Sequence, residues 1–168
     1  MRIILFSIYC IFSSTQFLFG QADSLQQQIN EQVWKPFIKG FSTNDNELFS
    51  SVHSKEVMRV MQDDERIIGY EEYFLPVPDS IKAKWGNWKR QIELRFIQRI
   101  AADGKAFETG YYKTTSTKED TGETRVGYGK FHVLLRKENG TWKILMDADA
   151  NNSTDEKVFS SAKPMENK

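Results

Sequence analysis

Cysteine is almost absent. Cys10 is the only one in 168 residues, so no disulfide can close within the chain and no thiolate cluster can hold a metal. Histidine is nearly as scarce, with His53 and His132 alone, and no His-x-x-x-His spacing occurs, so neither a metal nor a cofactor is expected. Excess charge is missing too: 23 basic side chains stand against 23 acidic ones. That balance gives no electrostatic case for nucleic acid or an anionic membrane as a partner. Internal repeats are lacking, and no apolar run is long enough to span a bilayer.

The apolar run that does exist covers residues 3–12, holds Cys10 and gives way to polar Ser13-Ser14-Thr15-Gln16. Arg2 is the only charge before Asp23, which is the pattern of a secretory signal peptide. Gly20 and Ala22 stand at the small-residue positions, so cleavage is expected after Ala22, with Gly20 as the second choice. The other reading makes residues 3–12 a first buried strand or helix. Ile8-Tyr9 lacks the small residue that precedes a lipid-modified cysteine, so no stable membrane anchor is expected. An exported chain, periplasmic or extracellular, would keep no cysteine and therefore no cysteine nucleophile. It would carry 22 basic and 23 acidic residues, because Arg2 is lost with the leader.

The rest reads as one domain over 23–152, followed by a disordered tail over 153–168 that is poor in apolar residues. Asp23 or Ser24 caps a helix whose apolar stripe is Leu25, Ile29, Val33, Phe37 and Phe41, widened by Trp34 and Ile38. Pro36 is expected to kink it. Asn44 and Glu47 have the form of a capping box for a short second helix that ends near His53. Two short strands, residues 56–61 and 66–69, precede a helix begun by Tyr70 to Phe74 and resumed after Pro78 as far as Arg90. In that last stretch Ile81, Trp85 and Trp88 share a face, and Lys82, Lys84, Lys89 and Arg90 form a solvated basic face. Four long strands close the domain, over 91–102, 105–117, 124–137 and 141–151. Asp103-Gly104 and Asn139-Gly140 are strong hairpin signals and set their antiparallel order. The expected class is α+β, a curved antiparallel sheet wrapped around N-terminal helices.

This order of elements resembles the NTF2-like superfamily, in particular its SnoaL-like or DUF4440 group. The residues that carry the resemblance are Gly40-Phe41-Ser42-Thr43-Asn44-Asp45 leading to His53-Ser54, then Ile68-Gly69-Tyr70-Glu71-Glu72-Tyr73. The closing strands Gly129 to Lys137 and Gly140 to Ile144 complete it. It implies a cone with a deep pocket and a homodimer formed through the outer face of the sheet. It also implies a range of roles from isomerases and cyclases to binding modules.

Three functions follow as expectations. In the first, the cone binds a small apolar or amphipathic ligand, lined by Trp34, Phe37, His53, Arg59, Tyr70, Tyr73, Trp85, Arg95, Tyr111 and Asp147. In the second, an isomerase or cyclase uses Asp147 or His53 as general base and Tyr111 as donor. The third is a protein-interaction module. Asp147 and Asp149 share a strand face and could equally stand where the strand emerges into solvent, paired with Arg or Lys. Arg59, Arg95 and Arg125 lie on strands, where each must either be paired or face a ligand carboxylate. Gly127 and Gly129 mark a bulge or a close approach.

Overall fold

A computed structural model describes residues 24–78, 80, 87–152 and 154–165. The leader over 1–22, Trp85, and the basic residues Lys82 and Lys84 lie outside the described residues.

Helix α1 runs through residues 24–43 and contains a π-helical turn over Asn30–Trp34, which continues as a regular helix over Lys35–Thr43. The expected kink at Pro36 takes the form of this wider turn. Proline has no N–H and crowds the carbonyl four residues back, and a π turn removes the need for that contact. Lys35 N–H accordingly bonds to Asn30 O. α2, Asn46–Ser51, is capped by Asp45, whose carboxylate accepts from Leu48 N–H; Asn44 instead closes α1 in the left-handed region at φ 55°. The capping residue is therefore one position later than the sequence pattern indicates. Gly40 lets α1 and α2 touch, since a Cβ there would press on the Phe49 backbone.

The strands are β1 His53–Met61, β2 Arg66–Ile68, β3 Trp88–Ala102, β4 Lys105–Lys118, β5 Thr124–Glu138, β6 Thr141–Ala150 and β7 Lys163–Pro164. α3, Tyr70–Tyr73, follows β2, and α4, Glu156–Ser160, precedes β7. β3 begins at Trp88, three residues before its expected start, so Trp88 belongs to a strand. The sheet order is β2-β1-β6-β5-β4-β3-β7. Every pair is antiparallel except β1 with β6, which run parallel, so the sheet is mixed at that seam. Both hairpins turn on residues with positive φ, Asp103 and Gly104 at 49° and 71°, Asn139 and Gly140 at 49° and 86°. That is the requirement of a type I′ turn, and it matches the twist of the strands.

The concave face packs on α1. Leu94, Phe96, Ala106, Phe131, Val133, Leu135, Trp142 and Ile144 are buried there with Ile29, Val33 and Trp34. One carboxylate sits among them. Glu108 is 0% exposed and accepts from Trp34 Nε1 at 2.5 Å and from Arg99 Nε at 3.0 Å, and Arg99 Nη2 also reaches Asn30 Oδ1 at 2.7 Å. The π turn is thus tied to the sheet at both of its ends.

One register irregularity sets which residues of β6 face inward. In β6 the pairing with β5 slips between Ile144 and Met146, opposite Leu135 and Leu134. Trp142 and Ile144 point inward before the slip. Strict alternation would then send Asp147 and Asp149 outward, and the extra residue instead brings them into register with inward-facing Val133 and Phe131.

Residues 154–165 correct the expectation of a disordered tail. Asp155 caps α4 by accepting from Val158 N–H, Phe159 is buried on the convex face, and β7 pairs with the free edge of β3. Arg95 holds this strap by donating to Ser160 O at 3.2 Å and Ala162 O at 3.3 Å, and its guanidinium lies over the Phe159 ring. One well-placed phenylalanine orders a polar segment that composition alone reads as coil. We expect Phe159→Ala to cost about 3 kcal/mol of stability and to release amide protection in β7 first, as read by denaturant unfolding and hydrogen exchange. Unchanged protection at Lys163 would show that the strap does not depend on this ring.

Candidate functional site

Glu108, Val133, Asp147 and Arg59 are successive cross-strand neighbours in one row over β4, β5, β6 and β1. At the β6 and β1 end of that row, side chains from α3, β1 and β4 converge on Asp147 and Asp149. The Tyr73 hydroxyl from α3 donates to Asp147 Oδ2 at 2.7 Å. Arg59 Nη1 lies 3.6 Å from Asp147 Oδ1, and its Nη2 donates to Asp149 Oδ1 at 2.7 Å. His53 Nε2 stands 3.8 Å from Asp147 Oδ2, a charge contact too long for a hydrogen bond. Tyr112 donates to Asp149 Oδ2 at 3.3 Å and also meets Asn151 Oδ1.

Aromatic rings enclose the buried end. The His53 ring has Phe74 at 5.0 Å, Phe49 at 5.3 Å, Tyr73 at 5.5 Å and Phe37 at 6.0 Å between centroids. Its Nδ1 is 2.9 Å from Phe49 O; a carbonyl can only accept, so Nδ1 carries the proton. Its Nε2 is buried and has no hydrogen-bond partner. Exposure rises outward, with side-chain values of 0% for His53, 11% for Asp147 and 25% for Asp149, so solvent reaches the carboxylates from the Asp149 side.

The two aspartates titrate in opposite directions. Burial pushes the Asp147 carboxyl up, but the His53 imidazole, the Arg59 guanidinium and the Tyr73 hydroxyl together outweigh it and hold it below the ordinary value. For Asp149, burial prevails over the attraction of Arg59, and the Asp147 charge adds to the upward shift. Tyr73 is raised well above its ordinary value by burial and by the neighbouring Asp147 charge, so it stays protonated. Burial and Asp149 do the same to Tyr112. Arg59 is held charged by the carboxylates despite its own desolvation.

No protein-family model matches the sequence, and no curated protein matches it. Solved structures do match. An NTF2-like superfamily protein from Salmonella enterica shares 16% identity, with a TM-score of 0.61 over 79% of this chain and 94% of its own. A candidate dehydratase of the NTF2-like family from Streptomyces avermitilis gives a TM-score of 0.64 at 13% identity over 79% and 99%. A ketosteroid isomerase-like protein from Erwinia carotovora gives 0.55 at 14% over 75% and 95%. The fold is NTF2-like. The sheet is curved and open rather than a closed barrel. The same architecture recurs in 234 matching chains, so it does not choose an activity.

The NTF2-like cone gathers five of the ten expected lining residues: His53, Arg59, Tyr73, Asp147 and, behind Phe49, Phe37. Trp34 lies deeper, bonded to Glu108 and packed on Phe96 and Phe131. Tyr70 is at the rim, with its ring 4.7 Å from Phe74 and Lys55 Nζ above it. Trp85 lies outside the described residues. Arg95 and Tyr111 are cross-strand partners on the convex face, since their neighbours Phe96, Gly110 and Tyr112 face inward, so neither lines the cone. The donor role expected of Tyr111 is geometrically open only to Tyr73 and Tyr112. Asp147 is buried and paired rather than emerging into solvent. His132 is half-buried on the convex face against Phe107, and Arg125 lies over Trp88 beside Glu123. Gly129 marks a close approach: a Cβ there would collide with the Tyr112 ring, which lies flat across it.

Among the described residues no cluster of histidine and acidic side chains is disposed to hold a metal ion, and no helix is long and apolar enough to cross a membrane.

The Asp147 carboxyl titrates lower in the fold than its ordinary value of 3.8, so its ionised form adds stability at and above that pH. This contribution is lost as pH falls through the folded value. We expect Asp147→Asn to lower stability at neutral pH by about 1–3 kcal/mol and to flatten the loss of stability below about pH 4. An unchanged acid limb in denaturation measured across pH would show that Asp147 is not held down. Gly129→Val should displace Tyr112 from Asp149, costing about 1–3 kcal/mol, with the change visible in the tyrosine fluorescence and ring resonances.

Proposed function

We propose that the cone binds a small amphipathic molecule, its apolar body against Phe37, Phe49, Tyr73 and Phe74 and its polar group at His53, Asp147 and Arg59. One observation carries this reading. His53 Nε2 is buried within an aromatic enclosure, without a partner, beside a buried carboxylate. A buried polar atom without a partner costs free energy, and a bound polar group would recover it. Several rings around a few convergent polar groups are the usual make-up of a ligand site.

A second reading is general acid and base catalysis at the same place. It is favoured by the opposite shifts of Asp147 and Asp149 and by Tyr73, which keeps its proton beside an ionised carboxylate. The names of two neighbours, ketosteroid isomerase-like and candidate dehydratase, are compatible with it.

Export through residues 1–22 belongs to the proposal as well. Its support is the apolar run behind Arg2 and the polar flank that follows. Expression with the native leader and mass measurement of the secreted product should give a chain beginning at Asp23, or at Gln21 for the second cleavage choice; a full-length product would remove the export reading.

Ligand binding is tested with Nile red, a neutral apolar dye, followed by fluorescence. We expect saturable binding, weakened about tenfold by Phe74→Ala and unaffected by His132→Ala on the convex face. Equal loss in both variants, or no saturable binding, would remove the basis for the cone as the site.

A further inference from the structure

The strap covers one half of the convex face. Phe159 is buried there, and Glu156 is met by Lys113 and by the Tyr128 hydroxyl. A short segment with an apolar ring and a carboxylate is therefore what this face already accepts from its own chain. The other half, toward the hairpins at Asp103 and Asn139, is exposed and apolar. Ile100, Phe107, Leu134, Met146 and Met58 are successive cross-strand neighbours over β3, β4, β5, β6 and β1, one side chain from each strand in turn. Ile100 is 52% exposed, Met58 48% and Leu134 38%. The next row sets Ile67, at 67%, beside Val60, Ala148 and His132. Burial and Lys130 hold His132 below its ordinary value, so it adds no charge near neutral pH. Apolar residues scattered singly over a surface need no explanation, whereas a contiguous patch marks a contact.

Basic rows border this patch on both sides. Lys105, Arg136 and Lys143 are neighbours on the hairpin side, and Arg95, Tyr111 and Lys130 on the strap side. Glu56 and Glu138 stand beside the first row, where Arg136 engages both. The first border thus sets three cations against two carboxylates, and the second adds two cations, so both stay positive. Aligning two copies of the chain on this patch would bring one positive border against another, which costs free energy. A membrane surface takes up a helix that sinks its apolar face below the headgroups. A sheet face five strands wide is covered instead by another layer of secondary structure.

We propose that this half of the convex face docks an acidic amphipathic segment of a partner protein, with its apolar side chains on Phe107, Leu134 and Met146 and its carboxylates on the Lys105 and Lys130 borders. The strap makes the same kind of contact within the chain, Phe159 supplying the apolar group and Glu156 the carboxylate. The proposal stands apart from what the cone binds, because the two sites lie on opposite faces of the sheet.

The test is fluorescence anisotropy of the whole folded chain with two labelled helical peptides that share one leucine stripe, flanked by glutamates in one and by lysines in the other. About 16 residues give a helix of about 24 Å, enough to cross five strands. The glutamate peptide should bind about tenfold or more tightly than the lysine peptide, and added salt should shrink the preference. Leu134→Glu should abolish binding, and Lys105→Glu combined with Lys130→Glu should reverse the preference. The comparison of the two peptides on the unmodified protein stands even if a variant folds poorly. Equal affinities, a tighter lysine peptide, or no binding of either overturns the proposal. So does binding of phosphatidylserine vesicles in place of the peptides, which would assign the face to a lipid surface. A dimer in sedimentation that Leu134→Glu dissociates would overturn it in favour of a second copy of this chain.

Discussion

A carboxylate with no exposure to water holds this structure in register. Glu108 sits under α1 with burial driving its carboxyl upward against the pull of Arg99 and the Trp34 indole. Removing such a group from water costs several kcal/mol unless donors meet it. The donors come from two directions, Arg99 from the neighbouring strand and Trp34 from the helix, so satisfying Glu108 sets how α1 lies on the sheet. The π turn follows from the same demand, because Asn30 and Trp34 both reach this ion pair. From Trp34 the packing runs outward through Phe37 to Phe49 and the His53 ring, so the far end of the concave face inherits its geometry from the buried glutamate.

The second polar cluster differs in kind. Around Glu108 every strong contact is internal and satisfied, which is how a structural ion pair behaves. Around Asp147 the contacts are graded, from a tight tyrosine hydrogen bond to an imidazole nitrogen with nothing to bond, and exposure increases toward Asp149. Two buried carboxylates in one row of one sheet face therefore have opposite uses: one closes the core and the other leaves a valence open. The convex face is devoted to stability at one end, where the strap covers it through Phe159 and caps the edge of β3 that would otherwise template pairing with another chain.

Much of this was legible from local chemistry. The Asp103-Gly104 and Asn139-Gly140 turns need positive φ, which few residue pairs supply so readily, and the strand pairing followed from them. The stripe of Ile29, Val33, Trp34 and Phe37 marked the helix face that packs on the sheet. Facing within the long strands was less accessible. Tyr111 and Tyr112 are adjacent and chemically identical, and only the pairing of Tyr112 with Gly129 across a continuous ladder shows which one enters the cone. The parallel seam between β1 and β6 depends on contacts about ninety residues apart, beyond any local pattern. The strap escaped notice because its order depends on one ring and on carbonyl contacts to Arg95, neither of which alters composition.

The slip in β6 beside Leu145 has an evolutionary consequence. Because the side-chain period of a strand is two, losing or gaining a single codon there would turn both aspartates from the concave face to the convex one while leaving every residue type in place. In chains of this fold, the presence of an acidic pair on the last long strand is therefore a poor guide to shared chemistry unless the strand length matches as well. A new lineage could gain or silence the polar end of its cone through a one-residue change in length, without any substitution in the site itself.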